Sequence, residues 1–306
     1  MSEIDTLGPP ADKSEAFALP PGCAEGFVEA NGVQLHYVAA GSGPLVLLLH
    51  GFPEFWYSWR HQLPTLALRF RVVAPDLRGY NLSDKPQSGY DLTTLTNDIS
   101  GLVTALGARR AHVVGHDWGG VLGWTLAIRD PDRVERLAIL NAPHPALMLR
   151  ELRRPRQLRR SLYIGLFQLR GTAERAIDRD DYAVVRRTLR GADRARAFLA
   201  EGDIQRYVAA IARPGALSAA LAYYRQLPHP SSFRAISPLR VITAPTLVLW
   251  GEQDPYLGPQ LLDGLDDWVR DLSVRRFAAA GHWLNQQEPE RVNAALLAFL
   301  TGDQVP

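Results

Sequence analysis

Cysteine is nearly absent from the 306-residue chain. Cys23 stands alone, so neither an intrachain disulfide nor a thiolate metal cluster can form, and a reducing cytoplasm is the simplest home. Long apolar runs are missing too, because the longest stretches, such as Leu45 to Leu49, fall far short of the ~20 residues that a membrane-spanning helix needs. The first twenty residues mix Glu3, Asp5, Asp12, Lys13 and Glu15 with several prolines. They lack the basic start and apolar core of a secretion signal, and residues 1–24 are expected to be a mobile N-terminal arm. Lysine is scarce, two residues against 32 arginines, and the net charge is only +2. Residues 150–200 concentrate the positive charge, fourteen arginines against six acids, but no nucleic-acid-binding motif accompanies them, so nucleic acid is not expected as a partner. The remaining balance, 46% hydrophobic and 22% charged residues, is that of a globular protein and excludes fibrous, collagenous and disordered classes.

Short apolar runs rich in β-branched residues alternate with stretches of helical period, which predicts a parallel sheet covered by helices. The opening differs, since Phe27 to Ala30 and Val33 to Ala40 flank Asn31-Gly32, a strong hairpin signal. Buried strands are expected at Leu45 to His50, Arg71 to Pro75, His112 to Gly115 and Arg136 to Leu140, with helices at Trp59 to Leu68 and Leu92 to Leu106. From about Pro143 to Pro238 the strand runs disappear and the chain turns helical and Arg-rich, as an inserted lid would. Strands resume at Thr246 to Trp250 and Ser273 to Phe277, and Pro289 to Leu300 is a final amphipathic helix. The expected organisation is therefore a core of residues 25–142 and 238–306, split by a helical lid of residues 143–237.

The most informative stretch is Gly115-His-Asp-Trp-Gly119-Gly120, between a buried strand and a helical segment. Such a Gly-x-nucleophile-x-Gly turn forces its central residue onto a tight corner, and here that residue is Asp117 where a serine hydrolase has serine. The exchange selects the electrophile. A serine attacking a saturated carbon would leave an ether, whereas a carboxylate leaves an alkyl ester that activated water can reopen at the carbonyl carbon of Asp117 itself. Strained or activated alkyl carbons, in epoxides or alkyl halides, are the substrates this chemistry suits.

Ester hydrolysis needs a base, and Ala280-Gly-His-Trp283 places His282 in a turn after the last strand. Asp254, in the turn after the preceding strand, is the expected partner, with Glu252 as its rival. His50-Gly-Phe-Pro53 follows a buried strand, and the N–H groups of Phe52 and Trp118 are assigned to the oxyanion hole. His50, Pro53, Trp56 and Trp118 are expected around the substrate, and Trp59 in the core.

From His50-Gly-Phe-Pro through Gly-His-Asp-Trp-Gly-Gly to Ala-Gly-His-Trp, the pattern resembles the epoxide hydrolases of the α/β-hydrolase fold, over roughly residues 25–301. The resemblance implies a mostly parallel eight-stranded sheet flanked by helices, a helical lid, no metal or organic cofactor, and epoxide and water as reactants. It also implies two lid tyrosines that donate protons to the epoxide oxygen. Tyr163 and the pair Tyr223-Tyr224 lie in matching segments, and the register favours Tyr163 and Tyr224. The elbow is similar to that of haloalkane dehalogenases as well, where the Trp after the nucleophile helps hold the leaving halide, so dehalogenation is the alternative reaction. A non-catalytic receptor for apolar ligands is the alternative of another class. The Arg-rich lid also suits docking on an anionic membrane or a partner, without stable insertion, and the sequence leaves monomer and homodimer equally open.

Overall fold

The computed structural model describes residues 19–191 and 198–303. Most of the expected N-terminal arm therefore lies outside the described residues, and its last two residues, Cys23 and Ala24, already belong to the first strand. Eight strands form one sheet: β1 (Cys23–Ala30), β2 (Val33–Ala40), β3 (Leu45–Leu49), β4 (Arg71–Pro75), β5 (Ala111–His116), β6 (Val134–Leu140), β7 (Thr246–Gly251) and β8 (Leu272–Phe277). Their order is β1-β2-β4-β3-β5-β6-β7-β8, with β2 antiparallel to both neighbours and every later pairing parallel. The β1–β2 turn is made by Asn31 and Gly32, both at positive φ, the backbone that a tight hairpin demands.

The central strands are apolar without alternation because helices cover both faces. Helices α1 (Gln62–Leu66), α2 (Leu92–Ala105) and α3 (Trp118–Arg129) belong to the first half. Asp91 caps α2 by accepting from the Thr94 N–H, and Leu95, Ile99, Leu102 and Val103 bury one face of that helix. The helix expected at Trp59 to Leu68 is instead a 3-10 turn at Trp56–Trp59 followed by the short α1. Pro64 explains the break: it has no N–H for the carbonyl a turn earlier and is tolerated only in the first turn of a helix.

Between β6 and β7 the chain forms α4 (Pro145–Glu151), α5 (Pro155–Arg160), α6 (Tyr163–Phe167), α7 (Thr172–Arg190), α8 (Glu201–Ile211), α9 (Ala216–Gln226) and α10 (Pro230–Ala235). The chain closes with α11 (Leu284–Gln287) and α12 (Pro289–Thr301). Helix α7 turns a corner at Asp180, Asp181 and Tyr182, all at positive φ, and residues from both its halves face one cavity.

The strand order reverses beside β3, which has β4 on one side and β5 on the other. In parallel sheets the crevice at the carboxyl ends of such strands is where ligands bind. His50-Gly51-Phe52 leaves β3 there, and Asp117 leaves β5.

Candidate active site

Asp117 sits between β5 and α3 with φ 48° and ψ −118°, a backbone that side-chain-bearing residues seldom adopt. Neighbours hold it there. Its N–H reaches the Leu140 carbonyl and its own carbonyl accepts from Val121, while Gly115 and Gly119 touch so closely that a Cβ on either would overlap backbone. The corner pushes the carboxylate toward the loop after β3. A Cβ on Gly51 would lie 2.5 Å from Asp117 Oδ1, so only glycine fits beneath the Asp117 carboxylate. The next residue, Phe52, donates its N–H to that same oxygen at 2.9 Å. The Trp118 amide, in the first turn of α3, makes no bond to the carboxylate.

The other oxygen, Asp117 Oδ2, faces His282 Nε2 across 3.7 Å. On its far side His282 Nδ1 bonds Asp254 Oδ2 at 2.7 Å. Asp254 is buried and anchored by four further bonds: Oδ1 accepts from the Tyr256 and Leu257 amides, Oδ2 accepts from Asn141 Nδ2, and its carbonyl accepts from Arg160. Burial alone would raise its pKa, but His282 and the two amides outweigh it and hold the carboxyl below the usual range. For His282 burial acts in the opposite sense, lowering the pKa. Asp254 first, then Asp117 and Glu54, overcome that and raise it to about 9. The resting imidazole is therefore cationic near neutral pH, between two carboxylates.

These groups open on a cavity of about 240 Å³ that is otherwise largely apolar, walled by Phe52, Pro53, Leu166, Phe167 and residues of both halves of α7. Tyr163 and Tyr224 line it, with ring centroids 6.0 Å apart, in the same cavity as Asp117 and His282. Burial, and after it the negative charge of Asp117, pushes both phenols well above 10, so they stay protonated. Tyr223 points elsewhere: its hydroxyl is buried and donates to the Arg78 carbonyl at 2.7 Å. A larger open groove of about 1440 Å³ shares Tyr256, His282 and Trp283 but does not reach Asp117.

Residues 44–289 match the α/β hydrolase fold family. Among curated proteins the chain is 40% identical over 281 residues to the AB hydrolase superfamily protein YfhM of Bacillus subtilis (strain 168), covering 90% of this chain and 96% of that one. It is 38% identical over 285 residues to epoxide hydrolase 4 of Mus musculus, covering 89% of this chain and 78% of the relative. The crystal structure of the Bacillus megaterium epoxide hydrolase in complex with an inhibitor superposes with a TM-score of 0.84 at 36% identity, covering 90% of this chain and all of that one. The chain belongs to the epoxide hydrolases of the α/β-hydrolase fold.

Not every residue expected in this hydrolase's pocket is there. Pro53 lines the cavity; His50, Trp56 and the Trp118 indole do not. His50 is fully buried, accepting at Nε2 from the Leu77 N–H (3.0 Å) and donating from Nδ1 to the Gly51 carbonyl (2.9 Å), so it braces the loop that carries Phe52. Trp56 turns into the core against Phe55 and Tyr57 because its amide is tied to buried Asp76. The Trp118 ring packs edge-on against Tyr223 and Tyr224 and its side chain hydrogen-bonds Tyr224. Glu252, the rival acid, is out on the surface with Arg276.

Four contributing residues went unrecognised in the sequence. Asn141, at positive φ after β6, bridges Asp254 and the Gly251 backbone, and its signal was an asparagine directly after a buried strand. Glu54 and His116 form a fully buried pair at 2.8 Å, and His116 Nε2 donates to the His282 carbonyl at 2.9 Å, fixing that residue's backbone from below. A lone acid in Phe-Pro-Glu-Phe-Trp was the available hint. Tyr256, edge-on to His282 and Tyr163, completes the wall.

Proposed function

We propose that this chain hydrolyses epoxides to vicinal diols through an alkyl ester on Asp117, beneath a lid formed by residues 143–237. In the first step Asp117 Oδ2 attacks a ring carbon from behind the C–O bond. The carbon–oxygen ester bond forms, the ring bond breaks, and its electron pair goes to the epoxide oxygen. Tyr163 or Tyr224 hands that oxygen a proton, and the resulting phenolate is reprotonated at the expense of the His282 imidazolium. Alkylation has removed the negative charge of Asp117 that helped keep His282 protonated, so the imidazole becomes a base when one is needed. Neutral His282 then takes a proton from water, and the hydroxide adds to the Asp117 carbonyl carbon. The oxyanion on Oδ1 is held by the Phe52 N–H and joined by the Trp118 N–H, each donor contributing about 3 to 4 kcal/mol in comparable sites. Collapse expels the diol oxygen, which takes the proton left on the carboxyl, and Asp117 and the His282 imidazolium are regenerated.

The observation that carries this reading is the division of labour within one carboxylate: Oδ1 is bonded to the Phe52 amide, while Oδ2 is turned toward His282 in a cavity shared with two protonated phenols. The halide-releasing alternative draws no support from Trp118, whose indole is taken up by Tyr224 in an edge-on contact and a hydrogen bond. A single turnover of styrene oxide in water labelled with oxygen-18 tests the proposal. Label should appear in the Asp117 carboxyl and not in the first diol released. Label in the first diol, with none in the protein, would mean direct attack of water and would refute the ester.

A further inference from the structure

In the segment from Leu152 to Arg170, Phe167 is buried and Tyr163 packs against the core, yet two polar side chains also point inward and four leucines stay outside, where a surface helix usually carries polar residues. Gln157 and Ser161 are turned inward. Gln157 Nε2 donates to the Tyr256 carbonyl at 2.8 Å and to Ser161 Oγ at 3.2 Å, and Gln157 Oε1 accepts from the Gly258 amide. Leucines occupy the outside: Leu158, Leu162, Leu166 and Leu169 are 51%, 64%, 43% and 54% exposed. The same stretch contains no Asp or Glu. Its arginines Arg153, Arg156, Arg159 and Arg170 are exposed and make no ion pair among the described residues.

We propose that this face of α5 and α6 docks on an anionic lipid surface, with the leucines in the interface and the arginines against the headgroup phosphates. Charge decides between lipid and a second copy of the chain. A symmetric pairing of two copies would press one arginine-rich face against its twin, whereas an anionic bilayer meets the leucines with apolar chains and the arginines with opposite charge. No helix among the described residues is long and apolar enough to cross a membrane, so the contact is peripheral. Leu166 belongs both to this stripe and to the wall of the cavity holding Asp117. Docking would therefore set the cavity beside the phase in which apolar epoxides dissolve. That delivery role rests on the function proposed above; the lipid contact itself does not.

Co-sedimentation of the full chain with vesicles tests the contact without any turnover. Phosphatidylcholine vesicles carrying about 30 mol % phosphatidylglycerol should bind the protein at ~0.1 M salt and release it at ~1 M, where the screening length falls from about 10 to about 3 Å. Each arginine near such a surface is worth about a fivefold change in affinity, so Arg153→Gln with Arg156→Gln and Arg159→Gln should weaken binding about 100-fold. Leu158→Ser with Leu162→Ser should weaken it as well, and because all five side chains are exposed, thermal midpoints should match the wild type. Failure to bind anionic vesicles at low salt would overturn the proposal, as would equal binding to pure phosphatidylcholine. So would a dimer in sedimentation velocity that the two leucine substitutions dissociate, since the face would then belong to a second copy.

Discussion

Gly51→Ala probes the support beneath Asp117 with one methyl group. The added Cβ would stand 2.5 Å from Asp117 Oδ1, and real Cβ contacts do not fall below 3.0 Å, so something must move by at least about 0.5 Å. Neither neighbour can yield easily. The Asp117 carboxylate is held by the strained corner of β5 and α3, and Gly51 lies between His50, bonded on both ring nitrogens, and the amide of Phe52, which is itself bonded to Asp117. Displacements on the 1 Å scale cost reacting groups ~100-fold in rate, while overpacking a buried site costs about 1 to 3 kcal/mol of stability. We expect the ester-forming step to slow by ~30- to 300-fold, with the protein still folded. Stopped-flow measurement of the alkylation burst, beside urea denaturation, separates the two effects. A burst within threefold of the wild type would refute the argument that the Phe52 loop and Asp117 must touch this closely.

Tyr224→Phe should slow epoxide opening by ~100- to 1000-fold, the cost of removing a donor aimed at a developing oxyanion. Tyr223→Phe should instead lower stability by about 0.5 to 1.5 kcal/mol through loss of its bond to the Arg78 carbonyl, leaving the burst intact; the reverse pattern would mean that α9 presents its other tyrosine to substrate. The raised pKa of His282 makes a prediction about stability. Its folded value, about 9, lies above the ordinary 6.5, so its contribution is fully present below about 6.5 and is lost as pH rises through about 9. Urea midpoints at pH 6 and pH 9.5 should therefore fall more for the wild type than for His282→Gln, and equal falls would show that Asp254 and Asp117 do not hold the proton on His282.

That Asp117, His282 and Asp254 come together was legible in the sequence because each lies in a short turn whose neighbours constrain it locally. Close approach at Gly115 and Gly119 leaves Asp117 one place to stand, and the order of strands carries the other two to the same end of the sheet. The hairpin at Asn31-Gly32 and the fully apolar β3 were legible for the same reason, since turn chemistry and unbroken burial are written in consecutive residues. The pocket wall was not. Trp56 and Phe52 sit four residues apart in one aromatic run, yet Trp56, its amide bonded to buried Asp76, lies in the core while Phe52 lines the cavity.

Asn141 bonds a residue 113 positions away and Glu54 one 62 positions away, so the local hint at each, an asparagine after a strand and a lone acid among aromatics, could not name its partner. The sequence by itself therefore determined the fold class, the tight strand-to-helix corner that carries Asp117 and the chemistry an aspartate there allows. Only the tertiary structure decided which of two adjacent tyrosines lines the cavity with Asp117, what holds the His282 backbone in place, and which face of the insertion is left to solvent. Those outcomes depend on the direction of side chains about a helix axis, about 100° per residue, and that direction is settled by packing between segments distant in the chain.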